Sequence, residues 1–289
     1  MKNLNDVYVI TGASGFIGSN LYATLFSLNK EVTFVSHNSE VNSKIKEFAK
    51  NFQETTRITL YLLGWGGAYG ADRNKLDLQK NSIDFNLQVV DALSKYNLVR
   101  VVYAGSIQEC SFLEASYRRS KLISDNLYSI SKLFCRAALL AKCKNNGIEY
   151  VEATIANVYG KGDKKGIIGR SIDNAINNKK LNFSSGEQLG DFVFIDDVIS
   201  DLLILGSETL KDHQYFIGSG EIKPVKEYFE QLCQYLGIND DEHRKFNLSG
   251  EVVYPGICFF NKDKYVHNCF SSKSRTPFLK GLELTYIKK

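Results

Sequence analysis

A glycine-rich turn between an apolar run and an amphipathic segment is the feature of this sequence that most restricts its fold. Val7 to Ile10 is a short β-branched run typical of a buried parallel strand, and the turn Thr11 to Gly18 follows it directly. An apolar face with helical spacing comes next, formed by Leu21, Leu25 and Leu28. A second apolar run, Val32 to Val35, completes a strand–helix–strand unit, which joins parallel strands by a right-handed crossover.

The turn has the residues needed to hold a pyrophosphate. Gly12 permits a tight turn, Gly15 lets the backbone approach a phosphate, and Gly18 permits close packing of helix on strand. The unpaired N–H groups at the start of the following helix then bind the anion. We predict a dinucleotide site here, together with the end of the third strand. Its expected contacts are Gly12, Ser14, Gly15, Phe16, Ile17, Gly18, Leu63 and Gly64.

Strand and helix patterns continue to alternate through the first 160 residues. Further apolar runs are Ile58 to Leu63, Val99 to Ala104 and Tyr150 to Ile155. Helical patterns occupy residues 76–96 and 126–145. The apolar stripe on the second of these consists of Leu133, Ala137, Leu140 and Ala141. The alternation predicts an α/β fold, with a Rossmann-like, doubly wound parallel sheet forming a dinucleotide-binding domain over residues 1–160.

The pattern becomes less regular after Gly160. We predict a smaller substrate-binding lobe over residues 161–289, with the segment 190–218 returning to the first domain. A short strand is expected at Phe192 to Phe194, with Asp196 or Asp197 capping the helix that follows. An amphipathic helix is expected over 225–236.

Composition excludes several other classes of protein. The net charge of +4 is spread along the chain, whereas nucleic-acid binders cluster their basic residues. None of the six cysteines forms a Cys-x-x-Cys pair, so neither a zinc site nor a disulfide framework is expected. The sequence has no signal-peptide pattern and no apolar stretch of the ~20 residues that a membrane helix needs. We expect a soluble, cytoplasmic protein.

Tyr128 and Lys132 lie four residues apart, which places them on one helix face. Tyrosine ordinarily ionises near pH ~10. An ammonium beside it, with a cationic nicotinamide ring, is expected to lower its pKa toward neutrality. The phenol can then exchange a proton with a substrate oxygen while hydride moves at the neighbouring carbon.

The Gly-x-x-Gly-x-x-Gly turn and the Tyr-x-x-x-Lys pair together resemble the extended short-chain dehydrogenases. This family includes NAD-dependent epimerases, dehydratases and nucleotide-sugar reductases, and the resemblance runs from residue 7 to residue 236. It implies that Tyr128 and Lys132 are catalytic and contact the cofactor, and that Ser106 shares the substrate oxygen with Tyr128. It also implies that Asn86 supports Lys132 through a water molecule.

The residues after the second strand bear on the choice of cofactor. An acidic side chain there would bind the ribose hydroxyls of NAD and repel a 2′-phosphate, but the residues are Ser36, His37 and Asn38. All three can hydrogen-bond a phosphate. NADP(H) is therefore favoured, and NAD(H) remains open.

The substrate side departs from the family at one important position. The resemblance implies that Asn157 contacts the substrate and Tyr159 lies near the cofactor. Gly190, however, stands where the family has an arginine for the nucleotide diphosphate. Cations available to replace it are Lys164, Lys165, Arg170 and Arg244. We take Lys164 and Arg170, with Gln108 beside Ser106, as candidate substrate contacts.

The residues after Ser106 narrow the reaction. Family dehydratases have an Asp-Glu pair there, and Ile107 and Gln108 cannot do that acid–base work. The leading interpretation is NAD(P)H-dependent reduction of a nucleotide-linked 4-keto-6-deoxysugar in surface polysaccharide synthesis.

Three alternatives to this reduction stay open. They are a 4-epimerase with bound NAD, reduction of a carbonyl compound without a nucleotide, and a non-catalytic dinucleotide-binding protein. The resemblance further implies a homodimer that pairs the helices at 76–96 and 126–145.

Overall fold

The computed structural model describes residues 5–37, 40–53, 55–109, 127–238, 244–247 and 274–286. Strands and helices alternate from the first described residue through the first half of the chain. The first-half elements are β1 (Asn5–Thr11), α1 (Phe16–Ser27), β2 (Glu31–Val35), α2 (Val41–Ala49), β3 (Thr56–Leu62), a 3₁₀ turn (Gly70–Asn74), α3 (Leu76–Leu93), β4 (Leu98–Ser106), α4 (Leu127–Asn145) and β5 (Glu149–Ile155). The later elements are β6 (Asn157–Tyr159), α5 (Ile167–Ile176), β7 (Leu181–Ser184), β8 (Leu189–Gly190), β9 (Phe192–Phe194), α6 (Ile195–Ser207), β10 (Gln214–Ile217), β11 (Lys223–Pro224), α7 (Val225–Leu236), β12 (Arg244–Asn247) and α8 (Phe278–Thr285).

Six strands form the main sheet in the order β10-β5-β4-β3-β1-β2. β1 pairs in parallel with β2 on one side and with β3 on the other, and β3 pairs in parallel with β4. The chain therefore runs outward from β1 to β2 and then returns to build the rest of the sheet on the other side of β1. A ligand crevice forms beyond the carboxyl ends of the strands at such a reversal. The Rossmann-like, doubly wound sheet predicted from sequence is confirmed.

The central strands are apolar on both faces because helices cover both sides of the sheet. Val9 and Ile10 of β1, Leu60 of β3, and Val101 and Val102 of β4 are completely buried. These branched side chains fit the pleated surface and supply the continuous core that the short sequence runs predict.

The chain divides into two compact units. The first contains the chain up to Glu109, then α4 and β5 as far as Thr154, and finally Ile199–Tyr215. The second contains the described residues of Ile155–Val198 and those from Phe216 onward. The assignment of cofactor binding to one part and substrate binding to the other stays a prediction.

The apolar face of α4 differs from the one expected. The residues that the helix buries are Tyr128, Ser129, Ser131, Lys132, Cys135, Leu139 and Cys143. Of the predicted stripe, Leu140 is 46% exposed, and Ala137 and Ala141 are also exposed. The predicted stripe is thus a second apolar face, distinct from the one that α4 buries.

The prediction that Asp196 or Asp197 caps α6 is wrong, because both residues lie just inside the helix. α6 begins at Ile195, so Asp196 and Asp197 lie inside its first turn, where negative charge still stabilises a helix. Asp197 also accepts hydrogen bonds from the backbone N and the hydroxyl of Thr276. None of the described helices is long and apolar enough to cross a membrane. The cytoplasmic location stays a prediction.

We expect Gly206→Ala to destabilise the first unit. A Cβ at Gly206 of α6 would lie 1.7 Å from the hydroxyl oxygen of Tyr61, which is fully buried and donates to Leu202 O. Overpacking of this kind costs about 1–3 kcal/mol. Chemical denaturation measures the change, with Ser207→Ala at the adjacent exposed position as control. Equal stability of the two variants would contradict the packing described here.

Candidate active site

Two glycines of the turn after β1 lie where a Cβ would clash with the backbone. Gly12 has a φ of +72°, and a Cβ there would lie 2.6 Å from Gly64 Cα. A Cβ at Gly18 would lie 2.1 Å from Gly12 O. The backbone N of Gly64 donates to the Thr11 hydroxyl at 3.1 Å, which joins the carboxyl ends of β1 and β3. The turn is therefore a tight backbone cradle at the reversal of the sheet.

The cradle fits a dinucleotide pyrophosphate. Gly15 precedes α1 with no side-chain cap, and the first turn of α1 contains no acidic residue. The backbone N–H groups of that turn are thus available to an anion, and the helix dipole favours negative charge there. Ser14 and Gly15 are exposed, Phe16, Ile17 and Leu63 are half-buried, and Gly18 and Gly64 are buried.

The structure limits what the residues after β2 can contribute. Ser36 and His37 both lie at the surface, and the His37 ring stacks on Phe85 with centroids 4.1 Å apart. Burial lowers the pKa of His37, so the ring is neutral at neutral pH and acts as a hydrogen-bonding group rather than a cation. Asn38 lies outside the described residues.

Tyr128 and Ser106 are brought together as predicted from sequence. Ser106 ends β4, Tyr128 is in the first turn of α4, and their hydroxyl groups are hydrogen-bonded. The tyrosine is 8% exposed, with Trp65 edge-on at 6.1 Å between ring centroids. The guanidinium of Arg73 lies 4.8 Å from the centre of the Tyr128 ring. Two hydroxyls that can share one substrate oxygen thus lie at the carboxyl end of the sheet.

The pKa of Tyr128 is set mainly by the burial of the phenol. Burial is the largest influence and raises the pKa of Tyr128 to about 12, while the groups that lower it are Ser106 and Arg73. Lys132 Nζ instead donates to Ala104 O and lies over the rings of Trp65 and Tyr103, 4.5 and 4.4 Å from their centres. The prediction of a lowered pKa included a cationic nicotinamide ring beside the phenol, so it stays a prediction for the protein with bound cofactor.

Asn86 on α3 is completely buried. Its Nδ2 donates to Ser82 O at 2.7 Å and to Gly64 O at 3.4 Å, and its Oδ1 has no hydrogen-bond partner among the described residues. A buried carbonyl oxygen of this kind ordinarily accepts from a water molecule. The water-mediated role predicted for Asn86 is compatible with this geometry and stays a prediction.

Glu109 belongs to the site, and the sequence reasoning missed it. It is 1% exposed, and its Oε1 accepts from the backbone N of Ser106 at 2.7 Å. Burial raises its pKa to about 7, against the influence of Lys132. Glu109 directly follows Ile107 and Gln108, so the sequence does place a carboxylate close to Ser106. Only the fold shows that it turns back toward Ser106.

The predicted substrate contacts lie mainly in the second unit. Asn157 donates from Nδ2 to Asp191 O at 3.0 Å, and Lys164 and Arg170 are exposed. Tyr159 is fully buried and donates to Phe278 O, so its side chain contacts protein, and a cofactor contact gains no support. In the first unit, half-buried Gln108 donates its backbone N to the Ser106 hydroxyl at 3.3 Å.

The missing family arginine has a local physical reason. A Cβ at Gly190 would lie 2.6 Å from Val225 Cγ2, where β8 pairs with β11 at the start of α7. No side chain fits at this position without displacing Val225, so any diphosphate-binding cation must come from elsewhere.

Comparison with known proteins identifies the family. The model of the NAD dependent epimerase/dehydratase family matches residues 8–218. The chain belongs to this family. It is accordingly an NAD(P)-dependent enzyme of the oxidoreductase and epimerase type, and the cradle at Gly12 to Gly18 is the part of this chain that fits the cofactor.

Relatives with different reactions are found among the similar proteins. A CDP-abequose synthase of Yersinia pseudotuberculosis is 32% identical over 213 residues, 69% of this chain and 72% of that protein. A putative UDP-glucose 4-epimerase of Methanocaldococcus jannaschii is 23% identical over 270 residues, 84% of this chain and 87% of that protein. The structure of an NAD-dependent NDP-hexosamine 5,6-dehydratase of tunicamycin biosynthesis shares the fold, with a TM-score of 0.77, 18% identity and 96% coverage of both chains.

We expect Glu109→Gln to stabilise the protein above neutral pH. The folded chain keeps the Glu109 proton up to about pH 7, whereas the unfolded chain loses it near 4.5, so wild-type stability falls as the pH rises between these values. Glutamine does not ionise, so the variant avoids this loss of up to about 3 kcal/mol in the free energy of unfolding. Its side-chain oxygen can still accept from Ser106 N.

Thermal unfolding of wild type and variant across this pH range measures the difference. It should be greatest above the upper pKa and vanish at acidic pH. The exposed Glu47→Gln on α2 is the control and should show no such dependence. A Glu109→Gln variant that loses stability above neutral pH would contradict the assignment.

Proposed function

We propose that this enzyme uses NADPH to reduce the 4-keto group of a nucleotide-linked 6-deoxysugar, with a CDP-sugar as the first substrate to test. The buried hydrogen bond between Ser106 and Tyr128 at the end of β4 carries the proposal, because it presents two hydroxyls to one substrate oxygen. The similarity to CDP-abequose synthase supports a deoxysugar and the CDP carrier. A role in surface polysaccharide synthesis is part of the same proposal.

Each residue has a defined task in this reaction. NADPH supplies the hydride that is added to the carbonyl carbon. Ser106 hydrogen-bonds the carbonyl oxygen and holds it against Tyr128, which donates its proton to that oxygen. Burial raises the pKa of Tyr128 to about 12, so the phenol carries a proton at neutral pH that it can donate. Lys132 binds the nicotinamide ribose, and Asn86 supports it through water.

The preference for NADPH over NADH rests on the residues after β2. Ser36 and His37 occupy positions where a carboxylate would bind a ribose hydroxyl and repel a 2′-phosphate. Both residues can instead hydrogen-bond a phosphate. A reductase also needs to exchange its cofactor after each turnover, which suits the pool of NADPH.

A 4-epimerase is the second candidate, favoured by the similarity to the putative UDP-glucose 4-epimerase. An epimerase regenerates its own cofactor, so NAD that co-purifies with the protein would support it. A non-catalytic binding protein is the weaker alternative because Ser106, Tyr128 and Lys132 are all retained.

We also propose that the protein is a homodimer that pairs α3 and α4 of two subunits. The outer face of α4 exposes Ile130 by 46%, Phe134 by 60% and Leu140 by 46%. Large apolar side chains clustered on one exposed helix face are typical of a protein interface.

Consumption of NADPH tests the proposal directly. CDP-, dTDP-, GDP- and UDP-linked 4-keto-6-deoxysugars are offered with NADPH or NADH, and we expect turnover with a CDP-sugar and NADPH. Tyr128→Phe should lower kcat/KM by about a hundred-fold to ten-thousand-fold, because the proton donor is lost while the packing of the ring is kept. Full activity of this variant would contradict the role of Tyr128, and a failure of every sugar would contradict the proposed substrate.

Gly15→Ala should separate cofactor binding from folding. A Cβ at Gly15 has only Gly12 O as a near neighbour, at 3.2 Å, so the variant should fold. A methyl group there would crowd a pyrophosphate bound at the cradle. We expect the Kd for NADPH to rise by about tenfold or more. Calorimetric titration measures it, with the exposed Ser19→Ala as control. Unchanged affinity in Gly15→Ala would contradict the assigned cradle.

A further inference from the structure

A cluster of buried charges lies behind the Ser106–Tyr128 pair. Glu109 is 1% exposed, Lys132 is 5% exposed, and Glu152 of β5 is 2% exposed. Glu152 is well paired: its Oε1 accepts from Arg136 at 2.9 Å and from Thr154 at 3.0 Å, and its Oε2 accepts from Gln214 at 3.1 Å. Arg136 and Glu152 thus form a satisfied structural ion pair.

Glu109 differs from Glu152 because only one of its carboxyl oxygens accepts a hydrogen bond from a described residue. Oε1 accepts from Ser106 N, which closes a turn of the backbone at the end of β4. Oε2 is buried and has no hydrogen-bond partner among the described residues. Burying a carboxyl oxygen without a hydrogen-bond partner costs folding free energy, so packing alone does not explain Glu109.

The surroundings of Glu109 are mostly titratable. The groups that act on it or that it acts on, from α4, β4 and β5, are Lys132, Arg136, Tyr128, Cys135, Tyr103, Tyr150 and Glu152. Two of these take part in the proposed reaction. Burial raises the pKa of Tyr128 and the Glu109 charge raises it further, whereas burial lowers the pKa of Lys132 and Glu109 opposes that change.

The charge of Glu109 acts on the proton of Tyr128. A negative charge near a phenol disfavours the phenolate and so keeps the proton on Tyr128. Carbonyl reduction needs that proton, which passes from the phenol to the substrate oxygen and is later replaced from solvent. Alcohol oxidation needs the phenolate instead. The same negative charge keeps the buried ammonium of Lys132 protonated, and therefore able to bind a ribose hydroxyl.

We propose that Glu109 is a positioning residue that fixes Ser106 through one oxygen and, once ionised, disfavours the phenolate of Tyr128. The inference rests on the proposed function and deepens it. It concerns residues of the first unit alone and does not depend on which sugar is bound.

Glu109→Gln separates the charge from the hydrogen bond. The glutamine has nearly the same shape and can still accept from Ser106 N, but it carries no charge. Asp91→Asn on α3 is the matched control, since it removes one carboxylate at the surface, where Asp91 is 59% exposed and pairs with Lys142. Each protein is also prepared with Tyr128→Phe so that the signal of this one tyrosine can be obtained by subtraction.

The first readout requires no sugar. Ionisation of Tyr128 is followed by tyrosinate absorbance in the presence of NADP⁺ as the pH is raised. We expect Tyr128 to ionise about half a pH unit or more lower in Glu109→Gln than in the wild type, with no shift in Asp91→Asn. An unchanged midpoint in Glu109→Gln, or an equal shift in the control, would overturn the proposal.

The second readout is the pH profile of reduction. Because reduction needs protonated Tyr128, the alkaline limb of kcat/KM should move to lower pH in Glu109→Gln by the same amount as the absorbance midpoint. A uniform loss of activity with an unmoved limb would indicate a purely structural residue and overturn the proposal. A shifted midpoint without turnover on any sugar would support the role of Glu109 and contradict only the proposed substrate.

Discussion

The close approach of Gly12 to Gly64, at the carboxyl ends of β1 and β3, is the constraint on which the site depends. The sheet reverses its direction of growth between these strands, and the backbones meet where a Cβ on Gly12 would lie 2.6 Å from Gly64 Cα. The Thr11 hydroxyl holds them together through Gly64 N. This contact forms the phosphate cradle, and Gly64 O also accepts from Asn86, which links the cradle to α3. This one backbone contact thereby positions both the glycine-rich turn and Asn86.

Burial decides the electrostatics of the chemical centre. In water Lys132 would favour the phenolate of Tyr128, but here the phenol is buried and the ammonium is held by Ala104 O and two aromatic rings. The burial of the phenol raises the pKa of Tyr128 to about 12. The phenol therefore carries a proton at neutral pH, as the proposed reduction requires. The charge of Glu109 acts in the same sense.

The fold could be predicted from the sequence because its signals are local, and the details of the site could not because they are long-range. The runs at Val7 and Ile58 fall within strands, and the spacing of Tyr128 and Lys132 falls within a helix. Periodicity could not choose between the two apolar faces of α4, since Cys135 and Leu139 face the core while Leu140 does not. The direction of Lys132 and the return of Glu109 toward Ser106 depend on neighbours from other strands, which no spacing rule contains.

Transfer of deuterium from labelled NADPH is the measurement that tests the central claim most directly. The enzyme is incubated with a CDP-linked 4-keto-6-deoxysugar and NADPH that carries deuterium at the transferred position, and the product is analysed by mass spectrometry. Reduction at the Ser106–Tyr128 pair predicts a stable deuterium label in the sugar, formed in step with NADP⁺ and lost in Tyr128→Phe. A sugar recovered without the label, with the NADPH unconsumed, would contradict reduction at this site.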